Sequence, residues 1–176
     1  MNPSKAVFLD RDGVLLRIPP GPSPLASARD LSEFELLPGS SEACAALKRA
    51  GFLLIVATNQ PEVARGRLRL EDVETIHSEL RARLPLDDLF VCYHDDADRC
   101  SCRKPEPGMI LEASRRWSIA LPLSFFVGDR WRDVEAGRRA GCRTVLVKSP
   151  ANDAENHPPD HFADDLPSAV AWILNP

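Results

Sequence analysis

The composition of the chain is that of an ordinary globular protein. Its 176 residues, with 44% hydrophobic and 27% charged side chains, suffice for one domain with its own core, and they exclude a disordered tail, a fibre and a small disulfide scaffold. The net charge of −4 argues against a protein built mainly to coat nucleic acid or an anionic membrane. We therefore expect a single domain over residues 1–176.

The sequence shows no signal for export or for membrane insertion. The N-terminal residues lead directly into a strand-like run, and the longest apolar run, Ala50–Ala57, is far shorter than the ~20 residues that span a bilayer. The five cysteines are an odd number, and in a reducing compartment a cluster of them indicates metal binding before disulfides. These features predict a cytoplasmic monomer whose partners include neither nucleic acid nor a membrane.

Short apolar runs alternate with amphipathic stretches along the chain. The apolar runs predict five buried strands, at Lys5–Asp10, Phe52–Thr58, Leu89–Tyr93, Ser124–Val127 and Thr144–Val147. Helical spacing of apolar residues, together with start and stop signals, predicts five helices, at Ser40–Ala50, Glu71–Leu84, Pro107–Trp117, Trp131–Ala140 and Leu166–Leu174. The proline-rich residues 19–24 and the polar residues 152–159 are expected to form loops. This alternation predicts βαβ units and a parallel sheet.

Chemically active residues follow four of the predicted strands. In chain order these segments are Asp10-Arg11-Asp12-Gly13, Thr58-Asn59-Gln60, Arg103-Lys104 and Gly128-Asp129 with Asp133. Ligands of parallel sheets bind at the carboxyl ends of the strands, so the segments are expected on one rim. A carboxylate that attacks an anionic phosphate needs a metal or cations nearby and a second acid for the leaving oxygen. The predicted rim supplies all of these groups.

These segments resemble the motifs of the haloacid dehalogenase (HAD) superfamily, in family order. The first motif corresponds to Asp10–Val14, the second to Thr58, the third to Lys104, and the fourth to Asp129 with Asp133. The resemblance covers nearly the whole chain. It implies a Rossmann-like α/β fold, in which helices flank a central parallel sheet, without a large cap domain.

The resemblance also implies a role for each motif residue. Asp10 would be the nucleophile that forms an aspartyl-phosphate, and Asp12 would protonate the leaving alcohol and later deprotonate water. Mg²⁺ would be held by Asp10, the backbone carbonyl of Asp12 and Asp129. The remaining motif residues would bind phosphoryl oxygens or support the site: Thr58, Asn59, Lys104 and, in the supporting role, Asp133. An acid at position 12 favours a phosphatase over the dehalogenase and transport ATPase branches.

A second cluster consists of Cys92, His94, Cys100 and Cys102. Three thiolates and one imidazole form a complete tetrahedral ligand set, which is typical of structural zinc sites. The alternative is that the cysteines merely pack while His94 is exposed, but the segment between them is too polar for a core strand. We predict a zinc loop over residues 92–102 that positions Arg103 and Lys104.

The zinc loop narrows the resemblance to one branch of the superfamily. Cys102–Pro105 resembles the Cys-Arg-Lys-Pro end of the loop in D-glycero-D-manno-heptose-1,7-bisphosphate 7-phosphatases and histidinol-phosphate phosphatases. Ala64–Gly66 and Lys104–Met109 favour the heptose enzymes, whereas Pro61-Glu62 and Arg130 depart from their pattern. The predicted substrate is therefore a small phosphorylated metabolite, a sugar bisphosphate in the leading hypothesis and histidinol phosphate in the alternative.

Other residues allow further alternatives. Arg103, and with less support Arg65 and Arg67, would bind a second, non-reacting phosphate. An acidic group would instead suit the cationic histidinol phosphate: Glu62, Asp95, Asp96 and Asp98. A polynucleotide 3′-phosphatase is disfavoured by the net charge, and an inactive binding module by the intact motif residues. We expect His77, Cys44 and Cys142 to be packed rather than functional.

Overall fold

Six parallel strands form one sheet in the computed structural model of the chain, which describes residues 3–20, 27–149 and 156–175. The strands are β1 (Ala6–Leu9), β2 (Leu53–Asn59), β3 (Asp88–Cys92), β4 (Phe125–Gly128), β5 (Arg143–Val147) and β6 (His161–Ala163). Their order in the sheet is β3-β2-β1-β4-β5-β6, with every neighbouring pair parallel. The predicted parallel α/β sheet is confirmed.

The described residues form five α-helices, of which the first four lie between successive strands and the fifth follows β6. They are α1 (Ser40–Arg49), α2 (Leu70–Arg83), α3 (Gly108–Trp117), α4 (Trp131–Ala140) and α5 (Leu166–Leu174). Each agrees with a predicted helix to within one residue at either end. Short 3₁₀ turns at Leu31–Glu33, Asp96–Asp98 and Leu121–Leu123 were not predicted, because three-residue turns show no periodicity.

The two faces of the sheet carry separate apolar cores. Alternate strand residues point to opposite faces, so Val7 and Leu9 of β1 join one core and Phe8 joins the other. The first core includes residues of α1 and α5, and the second includes residues of α3 and α4. Cys44 and Cys142 are buried in these cores as expected.

The sequence reading missed β6, the last strand at one edge of the sheet. None of its three residues is buried, and Phe162 is 62% exposed, so it has no run of buried apolar residues that would predict a strand. Residues 152–155 of the predicted polar loop and residues 21–24 of the predicted proline-rich loop lie outside the described residues.

The position of β1 in the middle of the sheet explains where a ligand can bind. The chain leaves β1 toward β2 on one side, and β4 pairs with β1 on the other. This reversal opens a crevice outside the carboxyl ends of the strands. The described parts of the connections after β1 and β2 contain turns, bridges and the 3₁₀ turn Leu31–Glu33, and no large cap, as predicted. No helix among the described residues is long and apolar enough to cross a membrane.

Candidate active site

A lysine ammonium group lies between two carboxylates beside the ends of β1 and β4. Lys104 Nζ is 2.8 Å from Asp10 Oδ1 and 2.6 Å from Asp133 Oδ1, and all three residues are buried. Burial alone would lower the pKa of Lys104, but the charges of Asp10 and Asp133 outweigh it and raise that pKa above its usual value. The lysine is therefore positively charged and compensates the buried carboxylates.

Two sets of hydrogen bonds hold Lys104 and its partner Asp133 in position. Asn59 Nδ2 donates to the carbonyl oxygen of Lys104, and the Lys104 N–H donates to Asn59 Oδ1, both at 3.0 Å. Asp133 Oδ2 accepts from the backbone N–H groups of Asp129 at 3.2 Å and Arg130 at 3.1 Å. Asn59 therefore positions Lys104 through its backbone, while Asp133 holds the turn between β4 and α4.

Asp129 adds a third buried carboxylate. Carboxylate oxygens of Asp10, Asp129 and Asp133 lie within 4.8 Å of one another. Burial, followed by the charges of Asp133 and Asp10, raises the pKa of Asp129 to about 8 against the opposing effect of the Ser149 hydroxyl. Burial is also the largest cause that raises the pKa of Asp10 to about 6. This crowded set of oxygen donors fits a hard divalent cation such as Mg²⁺.

Gly13 allows the first loop to approach Asp129 closely. Its φ of +84° lies in the left-handed region, and a Cβ atom here would lie 2.3 Å from Asp129 Oδ2 and 2.7 Å from Cγ. Only glycine combines this backbone conformation with the space that the carboxylate occupies. The glycine of the first motif is thus part of what keeps Asp129 in place.

The Asp12 carboxylate is surrounded by hydrogen-bond donors. Its Oδ2 accepts from Arg11 Nη2, Ser27 Oγ and Gln60 Nε2, each at 2.9 Å, and Arg11 Nε is 3.2 Å from both oxygens. Burial would raise the pKa of Asp12, but the Arg11 charge and these hydrogen bonds lower it below its usual value. The side chain is 15% exposed, and Oδ1 is the less occupied oxygen, available to a further partner.

These residues line a cleft with a volume of about 660 Å³. Thr58 lies in its wall, buried, where its Oγ1 accepts from Gln60 Nε2 at 2.9 Å. Six arginines line the described part of the cleft: Arg29, Arg65, Arg67, Arg103, Arg130 and Arg132. With Lys104 they make seven cationic side chains among the described lining residues, against six lining carboxylates, at Asp10, Asp12, Glu33, Glu62, Asp96 and Asp133. The cleft thus has a slight excess of positive groups in a chain whose net charge is −4, and this favours an anionic ligand.

The predicted zinc ligands converge at the end of β3. The Sγ of Cys92 lies 3.6 Å from Cys100 Sγ and 2.9 Å from Cys102 Sγ, and His94 Nδ1 is 3.3 Å from Cys102 Sγ. All four ligand atoms lie within 4.8 Å of one another. A tetrahedron with Zn–S bonds of ~2.3 Å has edges of about 3.8 Å, so this cluster of soft donors has nearly the dimensions of a closed zinc site.

The arginines around the zinc loop are held by carboxylates. Arg103 binds Asp96 through Nε at 2.8 Å and Nη2 at 3.3 Å. Arg65 binds Asp95 through Nε at 2.7 Å and Nη2 at 2.5 Å, and Glu62 through Nη1 at 2.6 Å. Arg65 thus joins the loop after β2 to the zinc loop. The acidic side chains that the sequence offered to a cationic substrate are largely neutralised by these arginines.

The sequence reading missed the residues that support Asp12. It gave Arg11 no role, whereas Arg11 is fully buried. It expected His77 to be packed, and His77 is indeed buried, but its Nε2 lies 2.9 Å from Arg11 Nη1. Gln60 directly follows the predicted Thr58-Asn59 pair, and this position in the sequence was the only indication that Gln60 belongs to the site.

Comparison with known proteins gives consistent matches. The HAD-hydrolase-like family model matches residues 101–169. The chain is 36% identical to the D-glycero-D-manno-heptose-1,7-bisphosphate 7-phosphatase of Chlorobaculum tepidum over 196 positions, covering 99% of this chain and 96% of the relative. It is 37% identical to the D-glycero-beta-D-manno-heptose-1,7-bisphosphate 7-phosphatase of Pseudomonas putida over 150 positions, covering 82% and 83% of the two chains.

Solved structures give the same match. The crystal structure of D,D-heptose 1,7-bisphosphate phosphatase from B. bronchiseptica, complexed with magnesium and phosphate, has a TM-score of 0.84 at 32% identity, covering 97% of this chain and 98% of that one. The corresponding enzyme from Burkholderia thailandensis has a TM-score of 0.71 at 28% identity, covering 98% and 100%.

The contact between Gly13 and Asp129 predicts the effect of a single added methyl group. Gly13→Ala should weaken divalent-metal binding, because its Cβ would displace the Asp129 carboxylate. Gly51→Ala is the matched control, since Gly51 has a similar φ of +81° but no atom within 4 Å of an added Cβ. Both variants should lose about 1–2 kcal/mol of stability from left-handed backbone strain. Titration with Mn²⁺, followed by electron paramagnetic resonance, should show weakened binding for Gly13→Ala alone; equal affinities would contradict the assignment of Asp129 to the metal.

Proposed function

The chain belongs to the HAD-like hydrolases and, within them, to the family of D-glycero-D-manno-heptose-1,7-bisphosphate 7-phosphatases, as its motifs indicated, and from this premise we propose that it hydrolyses the 7-phosphate of a heptose 1,7-bisphosphate. The observation that carries the proposal is the buried cluster of Asp10, Asp129, Asp133 and Lys104 at the base of an arginine-lined cleft. A nucleophilic carboxylate, a metal-binding carboxylate and a cation are the groups that phosphoryl transfer to an aspartate requires.

The charges in the cleft favour a bisphosphate over a cationic substrate. Asp95 and Glu62 are paired with Arg65, and Asp96 is paired with Arg103, so they offer little attraction to an ammonium or imidazolium group. The same ion pairs occupy Arg65 and Arg103, but a phosphate that displaces their carboxylate partners would accept charge-assisted hydrogen bonds from them, and Arg130 and Arg132 also line the cleft. These contacts support the sugar bisphosphate rather than histidinol phosphate.

The metal at the carboxylate cluster would be Mg²⁺, which the B. bronchiseptica relative contains together with phosphate. Asp10, Asp129 and the backbone carbonyl of Asp12 would hold it, and Asp133 would orient the surrounding groups. When bound, Mg²⁺ neutralises charge on the carboxylates and on the phosphoryl oxygens. Burial and the charges of Asp133 and Asp10 raise the pKa of Asp129, so a divalent cation would relieve the repulsion among these carboxylates.

In the proposed reaction Asp10 attacks phosphorus and the bond to the sugar oxygen breaks. Asp12 gives its proton to that oxygen, which leaves as an alcohol; the negative charge of the bound phosphoryl group would oppose the effect of Arg11 on the pKa of Asp12 and favour its protonated form in the complex. Asp12 then takes a proton from the water that attacks the aspartyl-phosphate, so phosphate is released and Asp12 is protonated for the next cycle. Lys104 and Thr58 would hold the phosphoryl oxygens; Asn59, predicted to bind substrate, would serve mainly by fixing Lys104.

The zinc loop would act as a structural support for the substrate-binding cations. Cys92, His94, Cys100 and Cys102 supply four protein ligands, so the zinc would have no open position for a reacting water. Residues 92–102 contain little apolar surface, and metal binding would supply local folding free energy. We propose one domain over residues 1–176 that includes this loop, in the cytoplasm, where thiols stay reduced.

Replacement of the nucleophile tests the chemistry. Asp10→Asn should abolish turnover, because an amide does not attack phosphorus, and EDTA should abolish the wild-type activity until Mg²⁺ is restored. Initial rates on heptose 1,7-bisphosphate, its monophosphates and histidinol phosphate measure both activity and preference. Asp98→Asn, in the exposed 3₁₀ turn of the zinc loop, is a control that should remain active. Near-wild-type turnover by Asp10→Asn would refute the mechanism, and preference for histidinol phosphate would refute the substrate.

Replacement of Arg103 tests recognition of the second phosphate. Arg103→Ala should lower kcat/KM for the 1,7-bisphosphate by roughly tenfold to a hundredfold, as expected for one charge-assisted contact. The kcat/KM for a 7-monophosphate should change much less, since that substrate lacks the second phosphate. Arg116→Ala, an exposed arginine at the end of α3, should affect neither substrate. Equal losses on both substrates would show that Arg103 does not bind the second phosphate.

Replacement of a zinc ligand tests the loop. Protein purified without chelators should contain one zinc ion per chain, and Cys100→Ser should lose it. Activity should fall, because Arg103 and Lys104 follow the loop directly, while the far-UV circular dichroism of the sheet and helices should change little. Cys142→Ser, a buried cysteine outside the cluster, should keep its zinc. Full activity of Cys100→Ser, or the lack of zinc in the wild type, would contradict the proposal.

A further inference from the structure

The side chain of Arg11 is fully buried between Asp12 and His77. Its Nη2 and Nε donate to the Asp12 carboxylate, and its Nη1 lies 2.9 Å from His77 Nε2. The exposed fraction is 0% for Arg11 and 2% for His77. A charged guanidinium at this depth requires partners for its donors, and these two residues provide them on opposite edges.

The contact between Arg11 and His77 fixes the state of the imidazole ring. A guanidinium can only donate hydrogen bonds, so His77 Nε2 must accept and its ring proton must be on Nδ1. Burial and the Arg11 charge lower the pKa of His77 to about 4. His77 is therefore a neutral, permanent acceptor for Arg11 at the pH values where the protein works.

The network continues from His77 to the zinc loop. His77 Nδ1 faces Glu74 Oε1 at 3.5 Å, and the same oxygen accepts a hydrogen bond from the Tyr93 hydroxyl. Both His77 and Glu74 lie on α2, whereas Tyr93 directly follows the zinc ligand Cys92. One continuous set of contacts thus joins Asp12 to α2 and to the start of the zinc loop.

We propose that His77 is a positioning residue for the acid–base group of the reaction: by accepting from Arg11 it holds the guanidinium against Asp12, so that Asp12 Oδ1 faces the cleft. This role rests on the proposed function of Asp12. Without the acceptor, Arg11 Nη1 would lose its partner in the interior, and the guanidinium would move toward another acceptor. Asp12 would move with it, away from the leaving oxygen.

The proposal predicts a loss that depends on the leaving group. A sugar alkoxide needs the proton from Asp12, whereas p-nitrophenolate is a weak base and leaves without one. Since kcat/KM reports the steps up to formation of the aspartyl-phosphate, it isolates this proton transfer from the later attack of water. Misplacement of a catalytic group by about 1 Å lowers rates by roughly a hundredfold.

The test compares His77→Leu, which cannot accept a hydrogen bond, with His77→Gln, whose side-chain oxygen can. For His77→Leu, kcat/KM on heptose 1,7-bisphosphate should fall by roughly tenfold to a hundredfold, while kcat/KM on p-nitrophenyl phosphate should stay within about threefold of the wild type. His77→Gln should restore most of the loss. His161→Leu, a histidine on β6 that stacks on Trp172, should change neither value. Should His77→Leu fail to fold by circular dichroism, His77→Asn, which is too short to reach Arg11, takes its place.

Each result decides the matter. Equal losses on both substrates, or failure of His77→Gln to restore the bisphosphate reaction, would show that His77 only stabilises the fold and would overturn the proposal. Unchanged kcat/KM in His77→Leu would overturn it as well. A wild-type protein that cleaves neither substrate with Mg²⁺ would instead refute the proposed function and, with it, this role of His77.

Discussion

The arrangement of the whole site depends on one buried ion cluster, in which the Lys104 ammonium lies between Asp10 and Asp133. Charges removed from water are tolerated only when other charges or dipoles replace the solvent. Asp10 directly follows β1, Asp133 lies in the first turn of α4, and Lys104 lies two residues after the loop of residues 92–102. A change in any of these three elements would leave a buried charge without its partner, and so the cluster couples them.

The two candidate metal sites differ in whether they leave a coordination position for a ligand from outside the chain. The cluster of Cys92, His94, Cys100 and Cys102 would offer a metal three thiolates and one imidazole, the full tetrahedral set that zinc takes. In the carboxylate cluster, Asp129 Oδ2 occupies the space that Gly13 leaves free, and oxygen ligands from a substrate and from water would complete the coordination of a bound cation. Asn59 hydrogen-bonds to the backbone of Lys104, two residues after the cysteine cluster.

The side chains around Asp12 fix the position of the carboxylate that we propose as the acid–base group. Oδ2 accepts four hydrogen bonds and Oδ1 accepts one, so Oδ1 is the oxygen with more room for another partner. Arg11 is itself held by His77, so the position of Asp12 is defined two contacts away from the reacting atoms. Residues that contact Arg11 rather than Asp12, such as His77, thus help the motif residues to define the geometry on which the proposed proton transfer depends.

Much of this protein follows from its sequence alone. The helices were predictable because packing against the sheet imposes a period of 3.6 residues, and the strands because a strand buried on both faces is a continuous apolar run. Only β6, a short edge strand with an exposed Phe162, lacked such a run. The candidate residues Asp10, Asp12, Thr58, Lys104 and Asp129 were predictable because ligands of parallel sheets bind where the strands end. What only the tertiary structure decided is which of them face one another and what holds them. The burial of Arg11, its contact with His77 across 66 positions of sequence and the pairing of Arg65 with Asp95 depend on how α2 and the zinc loop pack beside β1, since hydrogen bonds between distant residues form only when the fold brings their atoms within about 3 Å.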